Sequence, residues 1–324
     1  MAFEVFTDTS ANLPKRLTDE HGIGIIPFFY HMDGKDHVCV DIEAFDGERF
    51  YQDMKKGKIV TTTQISPQQY ADAFEPVLRE GKDLIFVSMS SGISGSYNSS
   101  RIAADMLSES YPERKVYSID TRGAALGEGL VALEAARCRD KGMSLEETVE
   151  HAKSYCRRMC NVFTVDDLMF LKRGGRLSNL SAIMGTVLNI KPLLKGDEDG
   201  KIVAFAKLRG RKRAVEALAE KYEALAVEPE KQTIGIVNAA CQEDADRLIE
   251  LICAKHPPKE IVQAGYEPVT GCHVGPGALA LFFLGEDDVR SAVDTAGASG
   301  GKISGLIQEV RELAADTIQR VKKD

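Results

Sequence analysis

The first half of the chain alternates short apolar runs with helix-like segments, and this alternation constrains the fold more than any other feature. The runs "FEVFTD", "DLIFVSM" and "KVYSID" have the length of strands, and a helical segment follows each of them. Between the first two, Ser66-Pro67 is a helix N-cap followed by proline at the first helical position. Alternation of this kind predicts an α/β/α domain with a mostly parallel sheet.

Loops rich in hydroxyl groups follow these predicted strands. Ligands of parallel sheets bind beyond the carboxyl ends of the strands. We therefore expect one rim to carry Thr7–Ser10, Thr61–Gln64, Ser90–Ser96 and Asp120–Gly123. The most unusual of these loops, "SMSSGISGSYNSS", has two interpretations. Its amides and hydroxyls could surround an anion at a helix N-terminus, or its residues could be ordinary turn and cap residues.

The pattern changes near residue 159. A strand "NVFTVDD" and a helix carrying Ile183, Val187 and Ile190 are followed by a predicted hairpin whose turn is "DEDG". A hairpin next to further strand–helix alternation predicts a second α/β domain with a mixed sheet. The predicted units are an α/β domain over 1–158, a second α/β domain over 159–285 and a C-terminal helical extension over 286–324.

Composition excludes several classes of protein. A net charge of −8 and a pI near 5.4 argue against a general nucleic-acid binder. The sequence has no apolar stretch of membrane-spanning length, so no stable membrane insertion is expected, and its N-terminus lacks signal-peptide features. Seven scattered cysteines suit a reducing cytoplasm. Cys156 and Cys160 stand one helical turn apart without a matching Cys/His pair, so we interpret them as partly buried thiols and expect no metal.

Three motifs are candidates for function. The loop "SGISGSY" lacks the Gly-Lys-Ser/Thr ending of a P-loop and misses the Gly-x-Ser-x-Gly spacing by one residue. His273 lies in the glycine-rich turn "GCHVGPGA", where a structural and a functional role are both open. The basic clusters "KRGGR" (172–176) and "RGRKR" (209–213) are either solvated helix ends or contacts for an anionic ligand or an acidic partner.

Taken in order, these segments resemble the DegV family of fatty-acid-binding proteins. The resemblance rests on "FTDTSANLP", "TTTQISP", "SSGISGSYNSS", "IDTRGAALGEGL", "FTVDDLMFLKRGGRLS", "NIKPLLKGDEDGKI", "LRGRKRA" and "HVGPGALALFFLG". Ile65 stands where the family usually has proline, and Thr63 replaces a serine. The segment "GIVNAA" lacks the usual Ser-His-Ala ending, and the tail after Gly285 extends beyond the family pattern.

The resemblance implies a two-domain fold that holds one long-chain fatty acid, such as hexadecanoate, in a tunnel between the domains. It implies that Thr62 and Ser94 bind the carboxylate, with the Gly95 amide as a helper and His273 nearby. It implies no cofactor and a separate fatty acid kinase as partner, which makes an acyl-phosphate for phospholipid synthesis while this protein itself is non-catalytic.

Two further sets of residues have more than one possible role. The helix with Ile183, Met184 and Val187 is expected to form a tunnel wall, although ordinary core burial uses the same residue types. Arg209, together with Arg173 and Arg176, is expected to serve the head group or the encounter with the kinase.

The alternative from another class is an enzyme. It would be a serine hydrolase acting through Ser94 and His273, or a relative of the dihydroxyacetone kinases that uses His273 covalently. The sequence offers no nucleotide-binding loop and no third member of a triad, which favours the carrier.

Overall fold

Two large β-sheets and a small one organise the chain in a computed structural model that describes residues 2–178, 189–287 and 289–295. The strands in these ranges are β1 (Phe3–Asp8), β2 (Ile23–Ile26), β3 (Phe29–Met32), β4 (Lys35–Val38), β5 (Val60–Thr63), β6 (Asp83–Ser88), β7 (Val116–Asp120), β8 (Met159–Thr164), β9 (Ile190–Gly196), β10 (Ile202–Arg209), β11 (Thr233–Asn238), β12 (Glu260–Gly265) and β13 (Leu279–Leu284). The helices are α1 (Lys15–Glu20), α2 (Gly47–Lys55), α3 (Pro67–Arg79), α4 (Ser96–Ser110), α5 (Leu126–Asp140), α6 (Leu145–Arg158), α7 (Met169–Gly174), α8 (Arg211–Leu225), α9 (Gln242–Cys253), α10 (Pro268–Val274) and α11 (Val289–Ala292).

The first sheet is parallel, with strand order β2-β1-β6-β7. Helices α3 and α4 pack together against it, and α5 and α6 pack together on its other face. Every residue of β6 is buried, as expected for a parallel strand that is covered on both faces. The capping box at Ser66 starts α3 with Pro67 at its first position. The predicted α/β/α first domain is confirmed.

The second sheet is mixed, with strand order β10-β9-β8-β13-β11-β12; among its named strands β11 and β12 pair in parallel and the other neighbours pair antiparallel. Its β9–β10 hairpin turns through Asp197–Gly200, as predicted. The prediction that Ile190 lies on a helix is wrong, because Ile190 begins β9 and pairs with Arg209. The predicted tunnel-wall residues Ile183, Met184 and Val187 lie outside the described residues, as does most of the predicted C-terminal extension.

A small antiparallel sheet has the strand order β4-β3-β5, and its strands β3 and β5 contact α10. Its hairpin turns at Asp33-Gly34, whose φ angles of 52° and 72° suit a type I′ turn. The segment Thr61–Gln64, expected as a loop at the rim of the parallel sheet, belongs largely to β5 of this small sheet. Strand β5 has only four residues, its burial alternates, and it pairs with β3, as is typical of a half-exposed antiparallel strand.

Helix α5 lies between the two large sheets and contacts β1 and β6 on one side and β8, β11 and β13 on the other. Eleven of its 15 residues are buried, because a helix enclosed by two sheets has no solvent face. At Gly129 a side chain would place its first carbon 2.4 Å from the carbonyl oxygen of Ala11, so the close approach requires glycine.

Composition leads us to expect free cysteines and no membrane-spanning segment. No helix in residues 2–178, 189–287 and 289–295 has the length and apolar character needed to cross a bilayer. All seven cysteines lie in these ranges as free thiols, and Cys156 and Cys160 are both buried, as predicted.

We expect Gly129→Ala to lower the free energy of unfolding by about 1–3 kcal/mol, the usual cost of overpacking a filled interior. The matched control is Gly47→Ala at the start of α2, where the nearest atom would lie 3.8 Å from the added carbon. It should change the free energy of unfolding by less than about 0.5 kcal/mol. Urea unfolding followed by circular dichroism measures both, and equal stability of the two variants would contradict the tight packing of α5.

Candidate functional site

A cavity of about 390 Å³ lies between the first sheet, the second sheet and α10. Its volume is in the range of small-molecule sites. The loops after β6 and β7, strand β5, the inner face of the second sheet and α10 all contribute to its wall. Most of this wall is apolar, through Phe28, Met89, Ile93, Phe163, Leu171, Ile202, Val269, Val274 and Phe282.

The structure brings all four predicted head-group residues, Thr62, Ser94, Gly95 and His273, to this cavity. The Thr62 Oγ1 and His273 Nε2 atoms lie 3.0 Å apart in a hydrogen bond between β5 and the last turn of α10. These residues are 211 positions apart in the chain, so the packing of separate elements creates the pair.

Glu267 fixes helix α10 and thereby His273. Its buried carboxylate caps the helix by accepting the backbone N–H groups of Val269 and Thr270. The Asn12 side chain accepts the Glu267 N–H at 2.9 Å and donates to the Thr270 hydroxyl at 3.3 Å. Burial raises the pKa of Glu267 to about 7. This network ties the loop after β1 to the helix that carries His273.

The His273 imidazole is neutral near pH 7. Burial, assisted by the positive charge of Arg176, lowers its pKa to about 4. A neutral ring donates one hydrogen bond and accepts one. A side chain at Gly174 would place its first carbon 2.4 Å from Nδ1, so the glycine of "KRGGR" allows the ring to lie against α7.

Residues of the serine-rich loop act as turn and cap residues at the start of α4, and the loop also lines the cavity. The Ser94 hydroxyl accepts the Ser96 N–H at 3.2 Å and donates to the Ser96 hydroxyl at 3.0 Å, so it stabilises the start of α4. Gly95 is the N-cap of this 15-residue helix, and Gln64 packs so closely that a side chain at Gly95 would collide with it. The positive end of the α4 dipole therefore lies beside the cavity.

The expectation that Thr7–Ser10 lines the ligand rim is wrong. The hydroxyls of Thr7 and Ser10 donate to the carboxylate of Glu128 on α5, at 2.8 and 2.9 Å, and all three residues are buried. Burial raises the pKa of Asp8 to about 7 and that of Glu128 well above its usual range. These groups hold the loop against α5 because a buried carboxyl needs hydrogen-bond donors.

The predicted rim segment Asp120–Gly123 reaches the cavity through the loop after β7, and sequence reasoning missed that this loop continues along the cavity to Ala125. Arg122 and Ala125 line the cavity with φ angles of 50° and 53°, which non-glycine residues rarely adopt and which cluster at functional sites. Arg122 donates to the carbonyl of Glu198 at 2.6 Å, and the Ser90 hydroxyl donates to the carbonyl of Gly200 at 2.7 Å. The tip of the β9–β10 hairpin is thus joined to two loops of the first sheet.

An outer groove of about 280 Å³ shares Thr62, Arg176 and His273 with the cavity. Arg173 also lines it and stacks on Phe170, with 4.6 Å between the guanidinium carbon and the ring centroid. The Arg176 Nε donates to the carbonyl of Ile93 at 3.2 Å. No carboxylate in the described part of the chain forms an ion pair with Arg173 or Arg176.

The remaining predicted residue, Arg209, is exposed at the end of β10 and lines neither the cavity nor the outer groove. The dyad expected of a serine hydrolase is also not assembled within the described ranges. There Ser94 pairs with Ser96, His273 pairs with Thr62, and no carboxylate is hydrogen-bonded to the imidazole.

Comparison with known proteins gives the same family as the motifs. The family model described as "Uncharacterised protein, DegV family" matches residues 2–286. A DegV domain-containing protein of Clostridium perfringens is 36% identical over 284 residues, which cover 88% of this chain and 98% of that protein.

Two solved structures of fatty-acid-binding relatives share the architecture. A DegV family protein from Thermus thermophilus, described for its fatty acid binding, has a TM-score of 0.80 at 27% identity, covering 88% of this chain and 100% of that chain. DegV of Bacillus subtilis, described as a fatty acid binding protein, has a TM-score of 0.75 at 29% identity with the same coverage. The chain therefore belongs to the DegV family and has its two-domain α/β fold.

Proposed function

We propose that this protein binds one long-chain fatty acid in the cavity and presents its carboxylate to a separate fatty acid kinase. One observation carries the proposal: a mostly apolar cavity has hydroxyl, amide and imidazole groups in its wall and shares Arg176 with a basic outer groove. The fatty acid binding of the Thermus thermophilus and Bacillus subtilis relatives supports the lipid as ligand. In this role the carboxylate lies at Thr62, Ser94, Gly95 and His273.

The acyl chain supplies most of the affinity. Each buried methylene contributes about 0.8 kcal/mol, so a chain of about 14 methylenes gives on the order of 11 kcal/mol before the costs of binding. Removing a carboxylate from water costs several kcal/mol unless hydrogen bonds replace the hydration. The Thr62 and Ser94 hydroxyls, the Gly95 amide and the dipole of α4 offset that cost and determine which end of the lipid faces outward.

The positive charge of the outer groove suits the binding of a kinase partner. Arg173 and Arg176 line it without a carboxylate partner among the described residues, and Arg176 also reaches the cavity. Positive charge there favours the approach of an acidic surface or a phosphoryl group. The phosphoryl donor would come from the partner, because the serine-rich loop is not a P-loop. Ser94 is not hydrogen-bonded to His273, and this supports a binding protein over a serine hydrolase. The seven free thiols suit a cytoplasmic site of action.

We expect delipidated wild-type protein to bind one fatty acid per chain and Thr62→Val to bind it about 5- to 150-fold more weakly. This range corresponds to the 1–3 kcal/mol lost when a charged acceptor loses a donor. Valine keeps the branched shape that β5 requires. Thr61→Val, one residue earlier and on the opposite face of the strand, is the matched control and should bind like wild type.

Titration with a fluorescent fatty acid gives the affinities, and native mass spectrometry gives the stoichiometry. Failure of the wild-type protein to bind any long-chain fatty acid would overturn the proposed function. Equal affinities of wild type, Thr62→Val and Thr61→Val would instead remove Thr62 from the head-group site.

We also expect bound fatty acid to raise the pKa of His273 from its ligand-free value of about 4. A carboxylate next to the ring stabilises the imidazolium, so the shift is upward and opposes the effects of burial and Arg176. A ¹⁵N NMR titration of the imidazole with and without lipid measures it, and His273→Gln assigns the signal. An unchanged pKa would place the carboxylate away from this ring.

Arg209→Ala is expected to lower the kinase-dependent rate several-fold while changing fatty-acid affinity by less than about twofold. The side chain is exposed and outside the cavity, so its charge acts on the encounter with a partner. Raised salt should bring the wild-type rate towards that of the variant, because the Debye length is already about 8 Å at physiological ionic strength.

The matched control is Arg79→Ala, which removes one exposed arginine at the end of α3, on the opposite edge of the first sheet. Its acyl-phosphate formation with the cognate kinase should equal that of wild type. If Arg209→Ala abolishes lipid binding, the residue belongs to the binding site. If Arg209→Ala changes neither the kinase-dependent rate nor the fatty-acid affinity, the "RGRKR" cluster is only a solvated surface.

A further inference from the structure

Among the described residues that line the cavity, Asn161 has a side chain without a hydrogen-bond partner. Asn161 lies in the middle of β8, is paired in register with Phe282 of β13, and is one of the residues that line the cavity. The residue is only 7% exposed. Neither its amide nitrogen Nδ2 nor its amide oxygen Oδ1 has a hydrogen-bond partner within the described residues.

The surroundings of Asn161 consist largely of glycine. A side chain at Gly127 would place its first carbon 2.1 Å from Oδ1, and side chains at Gly123 and Gly196 would come within 3.5 and 3.6 Å of Nδ2. These three positions belong to α5, to the loop before it and to β9. The absence of side chains at all three makes room for the amide and supplies no side-chain group to pair with it.

An unpaired buried amide is unfavourable, and native proteins rarely keep one without a reason. A plain alkyl chain beside Asn161 would leave both amide atoms unsatisfied. A hydroxyl group satisfies both, because it donates to Oδ1 and accepts from Nδ2. The neighbouring Cys160 and Val162 face the apolar core on the other side of the sheet, so the polar group is confined to the cavity face.

We propose that the cavity accepts a fatty acid whose chain carries a hydroxyl group and that Asn161 binds this hydroxyl. The inference rests on the proposed function and narrows its substrate class. The carboxylate stays with Thr62 and His273, which lie on β5 and α10, whereas Asn161 lies on the second sheet. The hydroxyl therefore belongs to the chain and is separate from the head group.

The test compares octadecanoic acid with a series of octadecanoic acids that each carry one hydroxyl at a different carbon. Delipidated wild-type protein should bind at least one member of the series about tenfold more tightly than octadecanoic acid, as expected when a buried polar group gains its partner. Asn161→Leu should bind octadecanoic acid more tightly than wild type does and lose the preference for the hydroxylated acid.

Asn98→Leu is the matched control, because it makes the same change at an exposed residue of α4 that does not line the cavity. Its affinities for octadecanoic acid and for the hydroxylated acids should equal those of wild type. Asn161→Ser, which keeps a donor and an acceptor, replaces Asn161→Leu if circular dichroism shows that the leucine variant does not fold, and should keep part of the preference.

The outcomes separate this inference from the proposed function. If wild type binds octadecanoic acid but prefers no member of the series, the inference is overturned and an ordered water satisfies Asn161. If the preference persists in Asn161→Leu, another group recognises the hydroxyl and the inference is also overturned. If wild type binds none of the acids, the proposed function fails as well.

Discussion

The enclosure of α5 between two sheets is the constraint on which the rest of the structure depends. A helix can pack closely against a sheet on each of its two sides only where the side chains between them are small. Glycines lie at the points where α5 approaches its neighbours most closely. A carbon added at Gly127 would meet Asn161 and Phe282 of the second sheet, and one added at Gly129 would meet the Ala11 carbonyl. The cavity lies beside the start of this helix, where the loops before α5 and the strands of both sheets converge.

The candidate site depends on this arrangement because no single element contains it. Thr62 comes from the small antiparallel sheet, Ser94 from the loop after β6, and His273 from a helix capped by Glu267 and held by Asn12. The predicted boundary between residues 158 and 159 coincides with a direct passage from α6 into β8. With no linker at that point, the two sheets are joined by the chain itself as well as by α5. Changes in the packing of either sheet would therefore alter the distances among the head-group residues.

Local patterns predicted much of this fold, and long-range partners account for what they missed. The continuous burial of β6 and the turn at Asp197–Gly200 follow from short segments. The pairing of β5 with β3 does not follow from its own sequence, because four residues do not specify which sheet they join. The role of Thr7 depended on Glu128, 121 positions away. Asn161 gave no signal, since one polar residue in an apolar strand is common and only its unsatisfied amide makes it unusual.

The distribution of charge in the candidate site suits the proposed function, in which the site must hold a carboxylate and still leave it reactive. A fully buried cation would form a strong charge-assisted bond and compete with the phosphoryl donor for the same oxygen. Burial instead keeps His273 neutral, so it and the hydroxyls offset desolvation without forming an ion pair. Arg173 is exposed in the outer groove, and the half-buried Arg176 lines both the groove and the cavity. In the proposed function, positive charge in that position would stabilise the approaching phosphoryl group, while the neutral donors would hold the carboxylate.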